Sequence, residues 1–360
     1  MKNKYRVAFV GAGGIARAHG YALSVLPYYY HDVPEVKRIV VASKTPESRE
    51  AFAARYGFDE AVEPDELFAR SDIDAVFILS PNEFHSPQLK KALFDLRASR
   101  IFVEKPIVVS REEAHELSEL KVPADRFVQT GFQFLQMSAI RRALRWWRED
   151  GLGDPIHFHC RYLHSGYLEK RYRQERQWRL KPSTEGGGAL VDLGSHAVSL
   201  LIAFLGKELE VLSAKQSGFF EDVPQKSDLC TTVLLSDQTS GAVGSLVASR
   251  ISAGAGDLLE LDIRGTQGSL RFSTEQPDVL EIFNRTGQGH WESISCGSDY
   301  QPATGFPSPK VPGGWLRSLV HAHYLFFGGK DDSAFIPDLD HALAVQRFIH
   351  CAIEKKERDR

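Results

Sequence analysis

Paired cysteines are missing from this 360-residue chain: Cys160, Cys230, Cys296 and Cys351 are widely spaced, with no C-x-x-C among them. A disulfide framework is therefore not expected, and reduced structural thiols are. Long apolar runs are missing too, with no stretch of the roughly eighteen consecutive apolar residues that a membrane-crossing helix needs. The chain passes from MKNKY straight into RVAFV, which Gly11 interrupts too early for the apolar region of a signal peptide, so the expected location is cytoplasmic. Nor is there an excess of positive charge. With 44 Lys and Arg against 47 Asp and Glu, the chain lacks the basic surplus a general nucleic-acid binder uses to neutralise phosphates. Internal repeats are absent as well.

What is present is the composition of a globular protein, 42% hydrophobic and 25% charged, in a chain suited to two domains, 1–130 and 131–360. Over the first part, apolar β-branched segments alternate with helical ones. Strands are expected over 6–10, 38–42, 73–79, 101–103 and 127–130, and helices over 15–26, 46–56, 87–96 and 111–120. Thr45 before Pro46 is a candidate N-cap, and Ser110 with Glu113 a candidate capping box. The segment 27–36, PYYYHDVPEV, reads as a loop. Such alternation builds a doubly wound parallel sheet.

Past residue 135 the pattern changes. A helix over 139–147 precedes a strand over 156–162, with Ile156, Phe158, Cys160 and Tyr162 on one face. Further strands are expected over 209–217, 229–235, 241–251, 258–264, 269–273 and 279–284, joined by short turns that favour an antiparallel sheet. Residues 285–314 read as a long loop, and helices over 315–328 and 339–355 close the chain. The fold class is α/β: a Rossmann-type doubly wound parallel sheet plus a C-terminal α/β domain with a large, mostly antiparallel open sheet.

The first strand leads into Gly11-Ala12-Gly13-Gly14-Ile15-Ala16, a G-x-G-x-x-A that opens the first helix. The first glycine makes the tight turn, the second admits a pyrophosphate to the backbone, and the small sixth residue lets helix and strand pack closely. A dinucleotide is expected here, its pyrophosphate on the positive helix N-terminus. The second strand ends Val41-Ala42-Ser43-Lys44-Thr45, with no carboxylate to hold ribose hydroxyls. Ser43 and Lys44 suit a 2′-phosphate better, which favours NADP(H) over NAD(H). The alternative is a solvated Lys44 and use of either cofactor.

Three further motifs complete a pattern: Ser80-Pro81-Asn82-Glu83-Phe84-His85, Glu104-Lys105-Pro106 after the strand IFV, and GGGALVDLGSH from Gly186 to His196. With the glycine turn, they make the chain resemble the glucose–fructose oxidoreductase/inositol dehydrogenase (Gfo/Idh/MocA) family over nearly its whole length. The resemblance implies an active site between the two domains, and dimers or tetramers built on the open sheet face. It also implies a reacting centre lined by Lys105, Asp192 and His196. Cofactor contacts then fall on the glycine turn, on Ser43, Lys44, Ser80, Pro81, Asn82, His85, Glu104, Lys105 and Gln133, and on the Trp178-Arg179 pair. No metal is expected: His157 and His159 beside Cys160 lack a carboxylate partner and read as a half-exposed sheet face.

The residues support the same chemistry. Ligands of open parallel sheets bind at the C-terminal ends of strands, where Asn82 and Lys105 fall, and the Lys105–Pro106 bond is a candidate cis peptide. Asp192, His196 and Ser199, spaced i, i+4 and i+7, are expected to share one helix face toward a cleft. Oxidising an alcohol requires a proton acceptor as hydride leaves for nicotinamide. His196 suits that role. Lys105 can stabilise the oxyanion or exchange the proton itself. Asp192 can orient His196 or hold a neighbouring hydroxyl.

Two departures from the family pattern fall on the substrate side: Ser199 where Asp is frequent, and Gln133-Phe134-Leu135 where an N-Y-R-like stretch is frequent. Residues 161–181 hold seven basic residues against Glu169 and Glu175. They read either as contacts to an anionic substrate or as a solvated, oligomer-facing loop. The leading function is a dehydrogenase or reductase acting on a secondary hydroxyl of a sugar or cyclitol. The alternatives are a tightly held nicotinamide driving glycoside elimination or hydrolysis, and a dinucleotide sensor without catalysis.

Overall fold

In the computed structural model, which describes residues 4–358 apart from Arg97, Asp150, Gln225, 286–288, Gly305, 309–310 and Pro312, the apolar segment Lys4–Val10 forms β1 and buries its last four residues. After it come α1 (Gly14–Tyr29), β2 (Glu35–Ala42), α2 (Pro46–Tyr56), β3 (Glu60–Val62), α3 (Pro64–Phe68), β4 (Ala75–Ile78), α4 (His85–Phe94), β5 (Arg100–Val103), α5 (Arg111–Ser118) and β6 (Phe127–Thr130). The strands pair in parallel in the order β3-β2-β1-β4-β5-β6. The order reverses between β1 and β4, which opens a crevice at their C-terminal ends, the ligand position in open α/β sheets.

The second sheet starts after α6 (Ser138–Arg148) with β7 (Pro155–Leu163), followed by α7 (Lys170–Glu175) and α8 (Ser195–Leu205). Then come β8 (Leu209–Ser217), β9 (Cys230–Asp237), β10 (Val243–Ser249), β11 (Leu258–Gly265), β12 (Gly268–Ser273), β13 (Val279–Asn284), β14 (Trp291–Ser295), α9 (Gly314–Phe326) and α10 (Leu339–Arg358). The order is β14-β13-β12-β11-β7-β10-β9-β8, antiparallel except where β10 meets β7. Helices α6, α8 and α10 cover one face. The chain then returns to the first sheet: Leu319, Val320, Leu325 and Phe326 of α9 share a core with Val7, Phe9, Phe77 and Phe102.

The α/β expectation is met, with local corrections. Segment 27–36 is not all loop. Helix α1 runs on through Pro27 to Tyr29, and the next residue, Tyr30, is buried. Tyr30 stacks on Tyr324 at 4.0 Å between ring centroids, and its hydroxyl meets His321 Nδ1 at 2.6 Å and Arg317 Nη1 at 2.8 Å. That packing overrides a weak local preference. The expected loop 285–314 contains β14, whose Trp291 ring lies under the Arg264 and Arg271 guanidiniums. Ile156 is exposed while Phe158, Cys160 and Tyr162 are buried, because the register shifts between Arg264 and Gly265 opposite the start of β7. Thr45 stands at the N-cap of α2 without a side-chain cap bond, whereas the Ser110–Glu113 capping box is formed.

One buried histidine makes a testable link between packing and pH. His341 of α10 meets Ser199 Oγ at 2.8 Å and lies edge-on to Phe132 and Phe335. Burial, helped by the Lys207 charge, pushes its imidazole down to about 4. The folded state therefore refuses a proton that the unfolded chain accepts below about pH 6.5, so stability is lost as pH falls through that value. At pH 5 His341 is expected to cost about 2 kcal/mol relative to pH 8. Urea unfolding across this range should show a shallower acid slope for His341→Gln than for the wild type. An unchanged slope would remove His341 from the account.

Candidate active site

The glycine turn stands at the crevice. Gly11 has φ +114°, and a side chain there would run into the Leu79 carbonyl at the end of β4, so only glycine lets the two strand ends approach. Beyond it, Cβ atoms on Gly13 or Gly14 would meet open space. Helix α1 has neither a capping side chain nor an acidic residue in its first turn. Free backbone N–H groups facing open space at a positive helix end fit a pyrophosphate. Ile15 and Ala16 continue the helix, with Ala16 buried against β1. Ser43 and Lys44 follow β2 directly. The Ser43 carbonyl accepts from Arg49 Nη1 at 2.8 Å, and the Lys44 ammonium stands 4.2 Å over the Phe84 ring.

At the next strand ends the loops are pinned to each other. Ser80 Oγ donates to Gln88 Oε1 at 2.6 Å, and Asn82 Nδ2 donates to the Gly186 carbonyl at 2.9 Å, tying this loop to the glycine run. Pro81 stands at the N-cap of the short turn 82–84. His85 is buried, with Nδ1 and Nε2 each 2.7 Å from a carbonyl, of Pro106 and Ser80 respectively. Both ring nitrogens thus meet protein carbonyls, and His85 acts as a strut between the β4 and β5 loops. Glu104 is buried as well. Its carboxylate meets His19 Nε2 at 3.0 Å, and His19 Nδ1 meets His323 Nε2 at 2.8 Å, so α1, the end of β5 and α9 are linked behind the crevice. The Lys105–Pro106 bond is cis.

Lys105 and Asp192 meet. Lys105 Nζ donates to Asp192 Oδ1 and to the Asp192 backbone carbonyl, both at 2.8 Å. Arg250 Nη2 donates to Asp192 Oδ2 at 2.8 Å, and Arg179 Nη1 lies 3.9 Å from the same oxygen. Burial alone would raise the Asp192 carboxyl, but Lys105, Arg250 and Arg179 hold it well below the usual carboxylate range. Gly188, with φ +82°, sits so close to the Asp228 carboxylate that a side chain would strike it. The fully buried Asp228 accepts from the Leu190 N–H at 2.8 Å, from the Thr231 hydroxyl at 2.7 Å and from the Ser183 hydroxyl. It thereby fixes the start of a π-helical turn, Leu190–Gly194, that presents Asp192 to Lys105.

That turn corrects the expected helix face. A π turn holds more residues than an α turn, so spacing counted at 3.6 residues no longer places Asp192 over His196 and Ser199. Asp192 faces the cations, while Ser199 is buried against His341 and away from any cleft. No hydrogen bond joins Asp192 to His196. The His196 ring is buried edge-on to Phe132, Phe134 and Tyr162, with centroids 5.0–5.9 Å apart. Its buried Nδ1 has no partner among the described residues, and burial, with the Lys105 charge, lowers the imidazole well below its ordinary value, so it is neutral. Gln133 is buried too, its amide donating to the Gly131 carbonyl and accepting from Trp315 Nε1. The Trp178 side chain lies outside the described residues.

Similarity to known proteins agrees with this geometry. A family model described as "Oxidoreductase family, NAD-binding Rossmann fold" matches residues 5–132, and one described as "GFO/IDH/MocA C-terminal domain" matches 140–271. The chain belongs to the Gfo/Idh/MocA family. It is an oxidoreductase-family chain with an NAD-binding Rossmann domain. It is 25% identical over 381 residues to levoglucosan dehydrogenase of Pseudarthrobacter phenanthrenivorans, covering 97% of this chain and 96% of the relative. It is 26% identical over 292 residues to scyllo-inositol 2-dehydrogenase (NAD(+)) of Bacillus subtilis, covering 80% and 79%. A solved levoglucosan dehydrogenase in complex with NADH and levoglucosan shares the fold, with a TM-score of 0.88 at 23% identity over 99% of this chain and 98% of that one.

Within this Gfo/Idh/MocA chain, much of the basic stretch is used internally. Arg173 forks onto Asp222 with both contacts at 2.9 Å, and Arg161 pairs with Glu260. Arg171 pairs with Glu175 at 2.8 Å and Lys181 with Glu83 at 3.4 Å, while Arg176 lies over Tyr172. His159 bonds Ser245 at 2.9 Å, which uses it on the sheet face. Arg250, Asp228 and His19 are the residues that sequence reasoning missed. Arg250 and Asp228 lie beyond the motifs, and nothing local marks them. His19 follows the glycine turn by one helical turn on the buried side of α1, and that spacing is the one signal that points to it.

The shared carboxylate predicts non-additive stability effects. Asp192→Asn leaves the buried Arg250 guanidinium without its counter-charge, and is expected to cost about 3 kcal/mol. Arg250→Met should cost a comparable amount, and the double variant clearly less than the sum of the two. Guanidinium chloride unfolding of the four proteins measures this. Strictly additive losses would show that the pair is not coupled.

Proposed function

We propose that this chain transfers a hydride between a nicotinamide cofactor and a secondary hydroxyl or ketone of a sugar, sugar derivative or cyclitol. The carrying observation is the Lys105–Asp192 contact beside a neutral His196, at the mouth of a parallel sheet whose glycine turn fits a pyrophosphate. The named activities of the relatives, levoglucosan dehydrogenase and scyllo-inositol 2-dehydrogenase among them, support the substrate class.

When bound, the nicotinamide supplies the hydride acceptor or donor. The protein's own residues do the rest. An ammonium has three N–H donors, and Asp192 takes two of those on Lys105, so the third is free for the substrate oxygen. Aimed there, in the direction of reduction it stabilises the negative charge that develops on the carbonyl oxygen as hydride arrives. His196, neutral, hydrogen-bonds the same oxygen and orients it. Burial keeps that imidazole a weak base, so we assign the proton transfer to Lys105 Nζ, which as an ammonium gives its proton to the oxygen in reduction and as an amine takes the hydroxyl proton in oxidation, with Arg250 remaining as the Asp192 counter-charge.

The finer assignments follow the same residues. Ser43 and Lys44 offer a hydroxyl and a cation where an NAD-preferring site holds a carboxylate, which supports a preference for NADP(H). Asn82, Gln133 and Arg179 shape the nicotinamide and ribose side. A domain division near residue 130 is assigned from the change of sheet. The open face of the second sheet suits self-association into a homodimer or homotetramer. Among the described residues no helix is long and apolar enough to cross a membrane, which is compatible with a cytoplasmic enzyme.

Turnover is tested by nicotinamide absorbance with levoglucosan, inositols, free sugars and sugar acids. Lys105→Ala is expected to lower kcat about a thousandfold with cofactor binding retained, and His196→Ala roughly a hundredfold. Lys44→Ala should lower kcat/KM with NADP+ about tenfold and leave NAD+ little changed. No turnover over the whole panel, or full activity in Lys105→Ala, would overturn the reading.

A further inference from the structure

Three chain segments converge at the end of the second sheet nearest Lys105. Tyr162 and His164 leave the end of β7, Arg250 follows β10, and Asp257 precedes β11. The frame is rigid. The His164 N–H donates to the Ser249 carbonyl at 2.7 Å, and its own carbonyl accepts from the Ser252 N–H at 2.8 Å. The Asp257 carbonyl accepts from Thr274 Oγ1 at 2.6 Å. Within this frame, Asp257 Oδ1 accepts from the Tyr162 hydroxyl at 2.6 Å and lies 2.8 Å from His164 Nε2. The other face of this arrangement is the reacting centre, because the buried Tyr162 ring packs edge-on to His196 with centroids 5.9 Å apart.

The charges around the centre are unevenly matched. Asp192 is balanced by Lys105 and Arg250, with Arg179 at 3.9 Å. Asp257 pairs with no lysine or arginine among the described residues, and its side chain is 54% exposed. Burial alone would raise it, but the His164 and Tyr162 hydrogen bonds hold it below the usual carboxylate range, so it is ionised at neutral pH. Its second oxygen, Oδ2, makes no hydrogen bond among the described residues. The polar atoms that fix Oδ1 therefore leave an ionised acceptor presented beside the His196 pocket.

We infer that Asp257, set in place by Tyr162 and His164, is a specificity-determining residue whose Oδ2 accepts a hydroxyl of the substrate away from the reacting carbon and selects neutral polyhydroxylated rings over phosphorylated ones. The inference rests on the polyol reading above for the identity of the ligand. A hydroxyl donating to a fixed carboxylate makes a charge-assisted hydrogen bond, stronger than a neutral one. A phosphate at the same point meets an unmatched negative charge, and like charges brought together out of bulk water repel. Arg161, Arg173 and Lys181 of the stretch 161–181 do not relieve this, since they are paired with Glu260, Asp222 and Glu83.

Binding separates this inference from the reaction itself. Wild type, Asp257→Asn and Asp257→Ala, each loaded with reduced cofactor, are titrated calorimetrically with levoglucosan, scyllo-inositol and glucose 6-phosphate. The wild type is expected to bind a neutral ring and to bind the phosphate at least about tenfold more weakly. Asp257→Ala should weaken neutral-ring binding roughly ten- to a hundredfold, and Asp257→Asn should narrow the gap between neutral and phosphorylated ligands, with cofactor affinity unchanged in both. A wild type that binds a polyol but does not oxidise it when loaded instead with oxidised cofactor would count against the hydride-transfer reading while leaving the Asp257 comparison decisive. Neutral-ring affinity untouched by Asp257→Ala, tighter binding of the phosphate by the wild type, or no polyol binding at all would each overturn the inference.

Discussion

The arrangement depends on one carboxylate shared between two cations. Asp192 is carried by the turn before α8, Lys105 by the end of β5, and Arg250 by the end of β10. Lys105 comes from the first sheet, whereas Asp192 and Arg250 come from the part of the chain built on the second, so the Lys105 contact exists only when the two sheets are docked. Each partner would be costly alone: an unpaired buried guanidinium or carboxylate loses its hydration with nothing in return. Because the charges meet, their desolvation is offset, and the reacting centre is assembled by the same interaction that closes the crevice.

The backbone is shaped to permit that meeting. Gly188 clears the Asp228 carboxylate, Asp228 holds the first N–H of the π turn, and the turn swings Asp192 out of helical phase toward Lys105. On the other side, His85 props the two loops that carry Asn82 and Lys105, and the Glu104–His19–His323 chain anchors the residue just before Lys105. These groups are buried and hydrogen-bonded to protein, and their function is to make position precise. His196 differs. It is enclosed by aromatic edges, with a buried nitrogen unpartnered among the described residues, and burial keeps it neutral.

Much of this was legible in the amino-acid sequence. The apolar β-branched runs gave the parallel strands, and the capping box at Ser110 formed as its spacing implied. Lys105 and Asp192 could be paired through the resemblance, since both motifs are local. What could not be read was anything decided by tertiary packing. Pro27 continues a helix because Tyr30 has aromatic and polar partners on α9. The helix-face argument failed for Asp192 because a π turn changes the phase, which no residue type announces, and for Ser199 because His341 of α10 covers it. Arg250 lies 58 residues from Asp192 along the chain, beyond the reach of any periodicity. Glu104 and His85 were assigned to the cofactor side, whereas the structure shows them bonded to protein groups.

The most direct test of the central claim is rapid-mixing nicotinamide absorbance with a neutral polyol deuterated at its carbinol carbon, comparing the wild type with Asp192→Asn, each saturated with oxidised cofactor. If the shared carboxylate assembles the hydride-transfer centre, the wild type will show a burst of reduced nicotinamide slowed by deuterium, and the variant will bind cofactor normally yet show no burst. A variant burst at the wild-type rate, with the same isotope sensitivity, would contradict the account.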